Sequence, residues 1–396
     1  MPPQAGSNLR CARRYGGEGQ GPRWSVALLV FALGALFCSC GGNQPTASVP
    51  VTPPASIGVP DQQFDQLFTQ NGPGWTGGDG AYSVRLPDGR TVWLFSDSYI
   101  GTVDPATRRR ASLNFQARNC LVVQDQNNQM TTLHGGTEQA PSSFFVPPTP
   151  DHWFWVGAGT VTQPTPGVSK LVVFLSEMER DSSASDPMWA FRYVSNSVAT
   201  LSLPDFAIET IQPLNMPTLV VWGAYLMKED PWVYIYGVED LGIGKYAHVA
   251  RASAADLANP AAWNFWNGSG WVGDVQASAR LLDDSISNQY SVDKVEGTYL
   301  MVAMDTSQIF TVWRDIVTYV ASAPTGPWTN RTVVYSTPET GRGHLFVYNP
   351  TSHAEFTQNG QFLISYCINS ATVDDLINAD NYRPRFIRAP LSRVLP

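Results

Sequence analysis

The sequence repeats one strand-like phrase five times, and each copy closes on a carboxylic acid or its amide. The phrases occupy residues 92–97, 171–177, 233–239, 299–305 and 362–369, and their closing residues lie 80, 62, 66 and 64 positions apart. β-branched and aromatic side chains dominate them, and turn residues flank most of them, which is typical of strands. A period of this length suits one four-stranded sheet per repeat. The repeat therefore predicts an all-β fold, a five-bladed β-propeller of four-stranded antiparallel blades.

The first 40 residues have the features of an export signal. Four arginines lie between residues 10 and 23, and the apolar run at 26–37 is too short to span a bilayer comfortably. The run leads to Cys40, and this segment resembles the lipobox of bacterial lipoproteins, with Phe37 where leucine is usual and Cys40 as the lipidated residue. The alternative is an ordinary secretory signal cleaved near Gly41. Residues 41–60 are rich in Pro, Thr and Ser, so we expect a flexible tether before a folded domain at 61–396.

The composition argues against several kinds of partner and cofactor. The chain has a net charge of −8, and the arginine-rich signal leaves the remainder more acidic still, which disfavours nucleic acid and anionic polymers. No Cys/His spacing indicates zinc, and the sequence has no Gly-rich phosphate loop. Cys120 and Cys367 fall in the first and last repeats, which are neighbours in a closed ring. A disulfide between them is conceivable, but two buried free thiols are the favoured interpretation.

Two aspartates of the first repeat are expected to lie together, and one of them, Asp79, is the strongest catalytic candidate, followed by Glu239 and Asp240. The inner and second strands of a blade are antiparallel, so the start of the first and the end of the second lie on one face. Asp79 precedes the inner strand and Asp97 follows the second, which predicts that they lie a few ångströms apart. Glycines flank Asp79 and leave backbone room for a ligand. Each aspartate could instead cap a turn through hydrogen bonds from its side chain to the backbone.

The same geometry directs further residues towards a central funnel. Glu239 and Asp240 close the third repeat, and His353 ends the inner strand of the fifth. Acids orient hydroxyl groups and aromatic faces stack on sugar C–H surfaces, so this set has the ingredients of a sugar site. The expected substrate-binding residues are Trp75, Asn119, Glu177, Trp222, Asp240, Asp305, His353 and Arg383. His353 could equally be a buried pore residue that holds strands together.

Carboxyl groups arranged in this way suit the cleavage of a glycosidic bond. The reaction needs one carboxyl group that keeps its proton as general acid and another that is ionised as base or nucleophile. Crowded carboxylates push each other's pKa values apart, which supplies this asymmetry.

Three segments carry a resemblance to known families: Gly-Asp-Gly-Ala-Tyr-Ser-Val at 78–84, Ala-Ser-Ala-Pro-Thr-Gly-Pro-Trp at 321–328 and Tyr-Arg-Pro-Arg-Phe at 382–386. They resemble bacterial exported families of unknown function, of the DUF4185 and DUF5005 type. These families are similar to five-bladed propeller glycoside hydrolases, the group of arabinanases, xylosidases and fructan enzymes, and one related group includes endo-D-arabinanases. The resemblance spans about residue 62 to 396. It implies a glycosidase that acts on a polysaccharide, with a furanose-containing glycan such as arabinan favoured.

The resemblance also implies roles for single residues. Asp79 occupies the place of the base or nucleophile, and Asp97 is the candidate for an aspartate that tunes or positions it. Glu239 is the closest counterpart of the acid by blade order, although it closes a second strand where the hydrolases usually draw their acids from inner strands. His353 corresponds to a histidine near the pore that often lies beside a calcium or sodium ion in the relatives. A Ca²⁺ or Na⁺ ion in the central pore is therefore an option, and no cofactor is required.

Two other functions remain open. The chain could be a non-catalytic surface propeller that binds a glycan or a protein, because a fold does not fix a function. It could also be a structural lipoprotein with a vestigial funnel, whose acids would be neutralised by basic side chains that could otherwise clamp substrate. The residues offered for that role are Arg118, Lys245, Arg383 and Arg385. In each case we expect an exported, monomeric protein of the cell envelope that touches the membrane only through a lipid on Cys40, or a secreted protein if the signal is an ordinary secretory one.

Overall fold

The computed structural model describes residues 56–113, 116–242 and 244–396. The signal, the lipidation candidate Cys40 and most of the tether lie outside these residues. Within them, no helix is long and apolar enough to cross a membrane. Most regular structure there is β-strand, and the two α-helices, Gln62–Leu67 and Leu391–Val394, are short.

Five antiparallel sheets surround one funnel, and within four of them the strands pair in chain order. Blade one contains Tyr82–Arg85, Thr91–Phe95, Cys120–Gln124 and Met130–Leu133. Blade two contains Trp153–Thr165, Val168–Arg180, Phe191–Ser202 and Ile208–Pro213. Blade three contains Val220–Glu229, Trp232–Asp240, Lys245–Ser253, Asn264–Trp266 and Trp271–Val272. Blade four contains Ser291–Val295, Thr298–Met304, Asp315–Ala321 and Thr329–Ser336. Blade five contains Leu345–Ser352, Gln361–Ser370, Arg385–Pro390 and, outermost, Val59–Pro60. The predicted five-bladed propeller is confirmed.

The five phrases of the sequence are the second strands of the five blades. A second strand has neighbouring blades on both of its faces, so consecutive side chains are buried whichever way they point. Trp93, Leu94 and Phe95 are all fully buried in blade one, as are Val173 and Phe174 in blade two. This two-sided burial explains why the phrases are nearly continuous apolar runs and do not alternate with polar residues.

Blade five is completed by the beginning of the described chain. Strand Val59–Pro60 pairs with strand Arg385–Pro390, and Arg388 Nε donates to Asp61 Oδ2 at 2.8 Å. Asp61 also caps helix Gln62–Leu67 by accepting from two backbone N–H groups. The two ends of the domain therefore share one sheet, which closes the ring. The folded part thus includes the last two residues of the segment that the sequence assigns to the tether.

The connections between blades carry the remaining elements. Trp75–Gly78, Ser98–Ile100 and Gln116–Ala117 form a small sheet, and Gly135–Thr137 pairs with Ala140–Ser142. Short 3₁₀ turns lie at Pro187–Trp189, Pro260–Ala262, Val275–Ala277, Phe310–Val312, Ala354–Phe356, Val373–Ile377 and Ala379–Tyr382. The turns at 187–189 and 310–312 follow second strands, so they lie at the end of the ring where Asp97 lies.

Buried amides join neighbouring blades. Asn119 Nδ2 donates to the carbonyl oxygens of Phe145 and Phe154, each at 2.9 Å, which links blade one to blade two. Asn196 repeats this arrangement one blade further along. Its Nδ2 donates to Trp222 O at 3.0 Å and its Oδ1 accepts from Trp222 N–H at 2.8 Å, which links blade two to blade three.

The two cysteines of the domain are buried and unbridged. Cys120 begins the third strand of blade one, and Cys367 lies in the second strand of blade five. Burial raises the pKa of Cys120 to about 12, so its thiol keeps its proton at neutral pH. The interpretation as two free thiols is confirmed.

Candidate functional site

Asp79 and Asp97 lie together where the inner strand of blade one begins. Asp79 N–H donates to Asp97 O at 3.2 Å, and Ser96 N–H donates to Asp79 O at 2.8 Å. Glycines permit this close approach. A Cβ on Gly78 would lie 3.0 Å from Asp97 O, and Gly80 has a φ of +94°, where residues with side chains are strained. The structure therefore brings the two aspartates together as the strand geometry predicts, and we refer to them as the aspartate pair.

Two tyrosines bind one carboxylate oxygen of Asp79. Tyr348 OH donates to Asp79 Oδ2 at 2.6 Å, and Tyr382 OH donates to the same atom at 3.0 Å. Burial, reinforced by the nearby charge of Asp97, raises the pKa of Asp79 to about 7, although both hydroxyl groups act to lower it. Asp79 can therefore take up and release a proton near neutral pH.

Asp97 has a cation beside it. Arg118 Nη1 lies 3.2 and 3.1 Å from its two carboxylate oxygens, and Trp155 Nε1 donates to Oδ1 at 3.1 Å. The Arg118 guanidinium rests over the ring of Trp153, 4.6 Å from its centroid. Burial raises the pKa of Asp97, and the charge of Arg118 opposes that rise. When the aspartate pair shares a single proton, Asp97 is thus the member that stays ionised, because the direct partners of Asp79 are neutral hydroxyl groups.

Six aromatic residues form a continuous chain of ring contacts that begins and ends on the aspartate pair. We call them the aromatic arch: Trp155, Phe191, Trp189, Phe310, Phe346 and Tyr348. Successive centroids lie 4.7, 6.3, 5.4, 5.0 and 5.6 Å apart, within the range of aromatic pairing. Trp155 at one end donates to Asp97, and Tyr348 at the other end donates to Asp79. The arch therefore places flat apolar surfaces next to two carboxyl groups.

Glu239 and Asp240 have basic partners of their own in blade three. Arg280 Nε donates to Glu239 Oε2 at 2.7 Å, and His248 Nε2 lies 3.8 Å from the same oxygen. Burial lowers the pKa of His248 to about 4, so Arg280 is the cation that faces Glu239 at neutral pH. Lys245 Nζ lies 2.5 Å from Asp240 Oδ1. Within the described residues, none of the hydrogen bonds or ion pairs of the aspartate pair involves either acid.

The two remaining acidic candidates are also paired. His152 Nδ1 lies 2.6 Å from Glu177 Oε1, and Ser195 Oγ donates to Glu177 Oε2 at 3.1 Å. Arg331 Nη2 lies 2.7 Å from Asp305 Oδ2. Both acids lie at the expected end of their blades, but neither contacts the aspartate pair.

Five of the expected substrate-binding residues lie inside the protein instead. Trp75, Asn119, Trp222, His353 and Arg383 are each at most 2% exposed. Trp75 packs against Phe95 with ring centroids 4.5 Å apart, and Trp222 packs against Phe265. Arg383 Nε donates to Thr76 O at 2.9 Å. These side chains hold the fold together and present no surface to a sugar.

His353 does not fit the role of an ion ligand. Ser83 Oγ lies 2.6 Å from His353 Nδ1 and 2.5 Å from Glu355 Oε1. The other ring nitrogen, Nε2, lies 2.8 Å from Ser365 Oγ, so both ring nitrogens have hydrogen-bond partners. Burial lowers the pKa of His353 to about 3, so the ring is neutral, but it has no free lone pair for a cation. Among the described residues no group of three or more His, Cys, Asp and Glu is arranged to hold a metal.

A cavity of about 490 Å³ lies at the opposite end of blade one, near the hairpin turn between its inner and second strands. Its walls include Arg85, Gln124, Asn128 and Phe356. It contains neither member of the aspartate pair, so we do not assign the candidate site to it.

Several residues of the site do not follow from the sequence pattern. Tyr348 lies in the inner strand of blade five, and its place in a strand that enters the funnel is the only signal that could have found it. Tyr382 lies in a 3₁₀ turn, and Trp189 and Phe310 belong to connections without periodicity. Their proximity to Asp79 depends on how blades one, two, four and five meet.

The fold and the site define a five-bladed propeller with a partly buried carboxylate pair at one end of its funnel. The chain belongs to the family described as Domain of unknown function (DUF5005), which residues 61–390 match. The family resemblance of the sequence is thereby confirmed. No curated protein matches the chain.

Several solved structures are similar to this chain to different degrees. A protein from Bacteroides ovatus ATCC 8483, described as a "putative hydrolase", has a TM-score of 0.68 at 21% identity, over 83% of this chain and 89% of that one. The catalytic domain of a Coprinopsis cinerea GH62 α-L-arabinofuranosidase has a TM-score of 0.45 at 10% identity, over 79% and 91%. A mutant of the GH43 protein BlXynB from Bacillus licheniformis has a TM-score of 0.46 at 10% identity, over 81% of this chain and 57% of that one.

Proposed function

We propose that this protein is a glycoside hydrolase that cleaves a polysaccharide at the aspartate pair. The observation that carries the proposal is the pair itself: two adjacent, partly buried carboxyl groups with different electrostatic surroundings, beside an aromatic arch. Near neutral pH Asp79 exchanges a proton while Asp97 stays ionised next to Arg118. Hydrolysis adds water across the glycosidic C–O bond, with a proton going to the leaving oxygen and the hydroxyl group to the anomeric carbon.

The substrate we propose is a furanose-containing glycan such as arabinan. The sequence resemblance to propeller glycosidases supports this choice, and the arch supplies faces on which sugar rings can stack. The net charge of −8 further favours an uncharged polymer over an anionic one.

Glu239 remains our candidate for the general acid, and its role is a separate part of the proposal. For Glu239 to donate a proton it would have to leave its ion pair with Arg280. If it does not, the aspartate pair has to supply both the acid and the base.

A non-catalytic glycan-binding propeller is the second candidate function. The ion pair of Glu239 favours it, because a paired glutamate that does not contact the aspartate pair is not placed as its acid partner. Arg118 and Lys245 pair with funnel acids, as a vestigial funnel would require. Arg383 and Arg385 instead contact Asp380.

The test is hydrolysis of arabinan, arabinogalactan, xylan and fructan by the purified protein and by Asp79→Asn, Asp97→Asn and Glu239→Gln. We expect one polymer to be cleaved and Asp79→Asn to lower kcat by about 10²- to 10⁴-fold, the range for losing a general acid or base. Asp205→Asn, at an exposed position of blade two, is the matched control and should keep full activity. Binding of a polymer without cleavage by any of these proteins would favour the second candidate.

Other expectations from the sequence remain proposals. We propose that the protein is exported and held at the cell envelope by a lipid on Cys40, since residues 1–40 resemble a signal with a lipobox. We also propose that it acts as a monomer on a glycan, without a required cofactor. A Ca²⁺ or Na⁺ ion in the pore would need ligands other than His353. Mass spectrometry of the N-terminal peptide tests the lipid directly.

A further inference from the structure

The hairpin that joins the second and third strands of blade two is longer than its counterpart in blade four. Its strands Val168–Arg180 and Phe191–Ser202 have 13 and 12 residues, whereas those of blade four have 7 each. The pairing register shifts between Glu177 and Met178. A β-bulge of this kind bends the strand pair that contains it. The end of the hairpin therefore does not continue the direction of its blade.

Hydrogen bonds within the hairpin order its tip. Asp181 N–H donates to Ala190 O at 3.0 Å, which closes the base of the loop. Further along, Asp186 Oδ1 accepts from Met188 N–H at 2.9 Å. Trp189 N–H also donates to Asp186 O at 3.1 Å, so these bonds hold Trp189 in a defined place beside the base of the loop.

Trp189 lies across the mouth of the funnel. Its ring centroid is 5.4 Å from Phe310, which follows the second strand of blade four, and 6.1 Å from Phe346 in the inner strand of blade five. Blades four and five are the two blades that do not neighbour blade two in a ring of five, so the contact crosses the opening. The aspartate pair of blade one lies on one side of this crossing. Glu239 of blade three lies on the other side.

The crossing is joined to the aspartate pair at both of its ends. The arch starts at Trp155, which donates to Asp97, and ends at Tyr348, which donates to Asp79, so the two carboxyl groups complete a closed circuit of contacting side chains. A glycan that ran straight across the funnel from blade one to blade three would have to displace Trp189. A glycan that entered by one end would not.

We propose that Trp189 makes the site selective for the end of a glycan chain, so that terminal units are bound and removed while the interior of the polymer is excluded. This inference rests on the proposed function for its reaction, but the selectivity itself is a property of binding. Trp189 is 39% exposed, so part of its indole ring remains available to a sugar. Its indole ring is then the surface that the terminal sugar contacts when a chain end binds beside the aspartate pair.

The test measures the binding of α-1,5-linked arabino-oligosaccharides, from the disaccharide to the hexasaccharide, to the full-length protein by titration calorimetry. Selectivity for chain ends predicts an affinity that stops rising after the first few units. Trp189→Ala should weaken binding of the trisaccharide by about three- to tenfold and should let affinity keep rising with length. Trp189→Phe should restore the plateau. Trp271→Ala, on the outermost strand of blade three, is the matched control and should leave the plateau unchanged.

A second experiment measures the products of arabinan hydrolysis and the viscosity of the polymer solution. Chain-end action releases short sugars with little loss of viscosity, and Trp189→Ala should shift cleavage towards the interior, with a faster fall in viscosity. Internal cleavage by the unmodified protein would overturn the inference while the proposed function stands. A binding plateau that depends on Trp189, without hydrolysis of any polymer, would support the inference while the proposed function fails. An affinity that rises with length in the unmodified protein, or no binding to oligosaccharides of arabinan, arabinogalactan, xylan or fructan, would overturn the inference.

Discussion

The hydroxyl group of Tyr348 stabilises the ionised form of Asp79, because it donates to the carboxylate at 2.6 Å. Tyr348→Phe removes that donor and should raise the pKa of Asp79 further above its present value of about 7, by up to about one unit. The fraction of Asp79 that is deprotonated at pH 7 should fall accordingly. A titration of ¹³C-labelled aspartate carboxyl groups by NMR measures the shift without requiring enzymatic activity.

Tyr319→Phe provides the control for that titration. Tyr319 also donates to an aspartate, Asp284, at 2.9 Å, but it does not contact the aspartate pair. The Tyr319→Phe variant should therefore leave the pKa of Asp79 unchanged. An Asp79 pKa that stays the same or falls in Tyr348→Phe would show that this hydroxyl group does not act on the carboxylate as proposed.

Single residues differ in how far the sequence could predict their place. Asp79 and Asp97 are predictable, because the chain direction of two adjacent strands fixes which of their ends meet. Trp75 and Trp222 are not, because an aromatic side chain near a funnel either faces the opening or packs against the next blade, and the choice depends on packing between blades. The place of Arg383 is not predictable either, because its guanidinium group donates hydrogen bonds to backbone carbonyl oxygens that are distant in sequence.

At the scale of elements, the buried asparagines that join blades are structural devices. Asn196→Ala would leave the N–H and C=O groups of Trp222 without their side-chain partners. An unsatisfied buried group costs about 1–3 kcal/mol, so we expect the free energy of unfolding to fall by at least that amount. Chemical denaturation measures the loss, and Asn127→Ala, at an exposed turn, should change stability very little.

The same experiment on Asn119 separates two roles for that residue. The sequence assigns it to substrate binding, whereas the structure shows it bonded to Phe145 and Phe154. Asn119→Ala should therefore lower stability by a similar amount. A variant that keeps its stability and loses only glycan affinity would restore the assignment made from sequence.

The second strands are the elements that the sequence predicts best, since burial on both faces leaves an apolar run that needs no knowledge of the partner strand. The hairpin of blade two is the opposite case. Its bulge between Glu177 and Met178 exists only because one strand has an extra residue relative to its neighbour. Nothing in the residues of one strand alone reveals that mismatch, so the crossing made by Trp189 was not predictable.

At the scale of the whole molecule, closure of the ring buries polar groups near its axis. Asp293 in the inner strand of blade four is 8% exposed, and it accepts from Tyr225 OH at 2.9 Å and from Ser352 Oγ. Burial raises the pKa of Asp293 to about 6, although these hydroxyl groups act to lower it. Burial raises the pKa of Glu355 to about 7, and the negative charge of Asp293 also acts to raise it. The folded protein therefore binds protons here that the unfolded chain releases.

This difference makes stability depend on pH in a defined direction. Because the folded pKa of Asp293 exceeds that of the unfolded chain, its contribution to stability is complete below about pH 4 and is lost as the pH rises through about 6. We expect Asp293→Asn to lose less stability than the unmodified protein between pH 5 and pH 8, by on the order of 1 kcal/mol. His248 and His353 have lowered pKa values and act in the opposite direction, but they are common to both proteins and cancel in the comparison. Chemical denaturation at pH 5 and at pH 8 measures the difference. The control variant, Asp205→Asn, should lose as much stability as the unmodified protein does. Equal losses in Asp293→Asn and the unmodified protein would contradict the pKa assigned to Asp293.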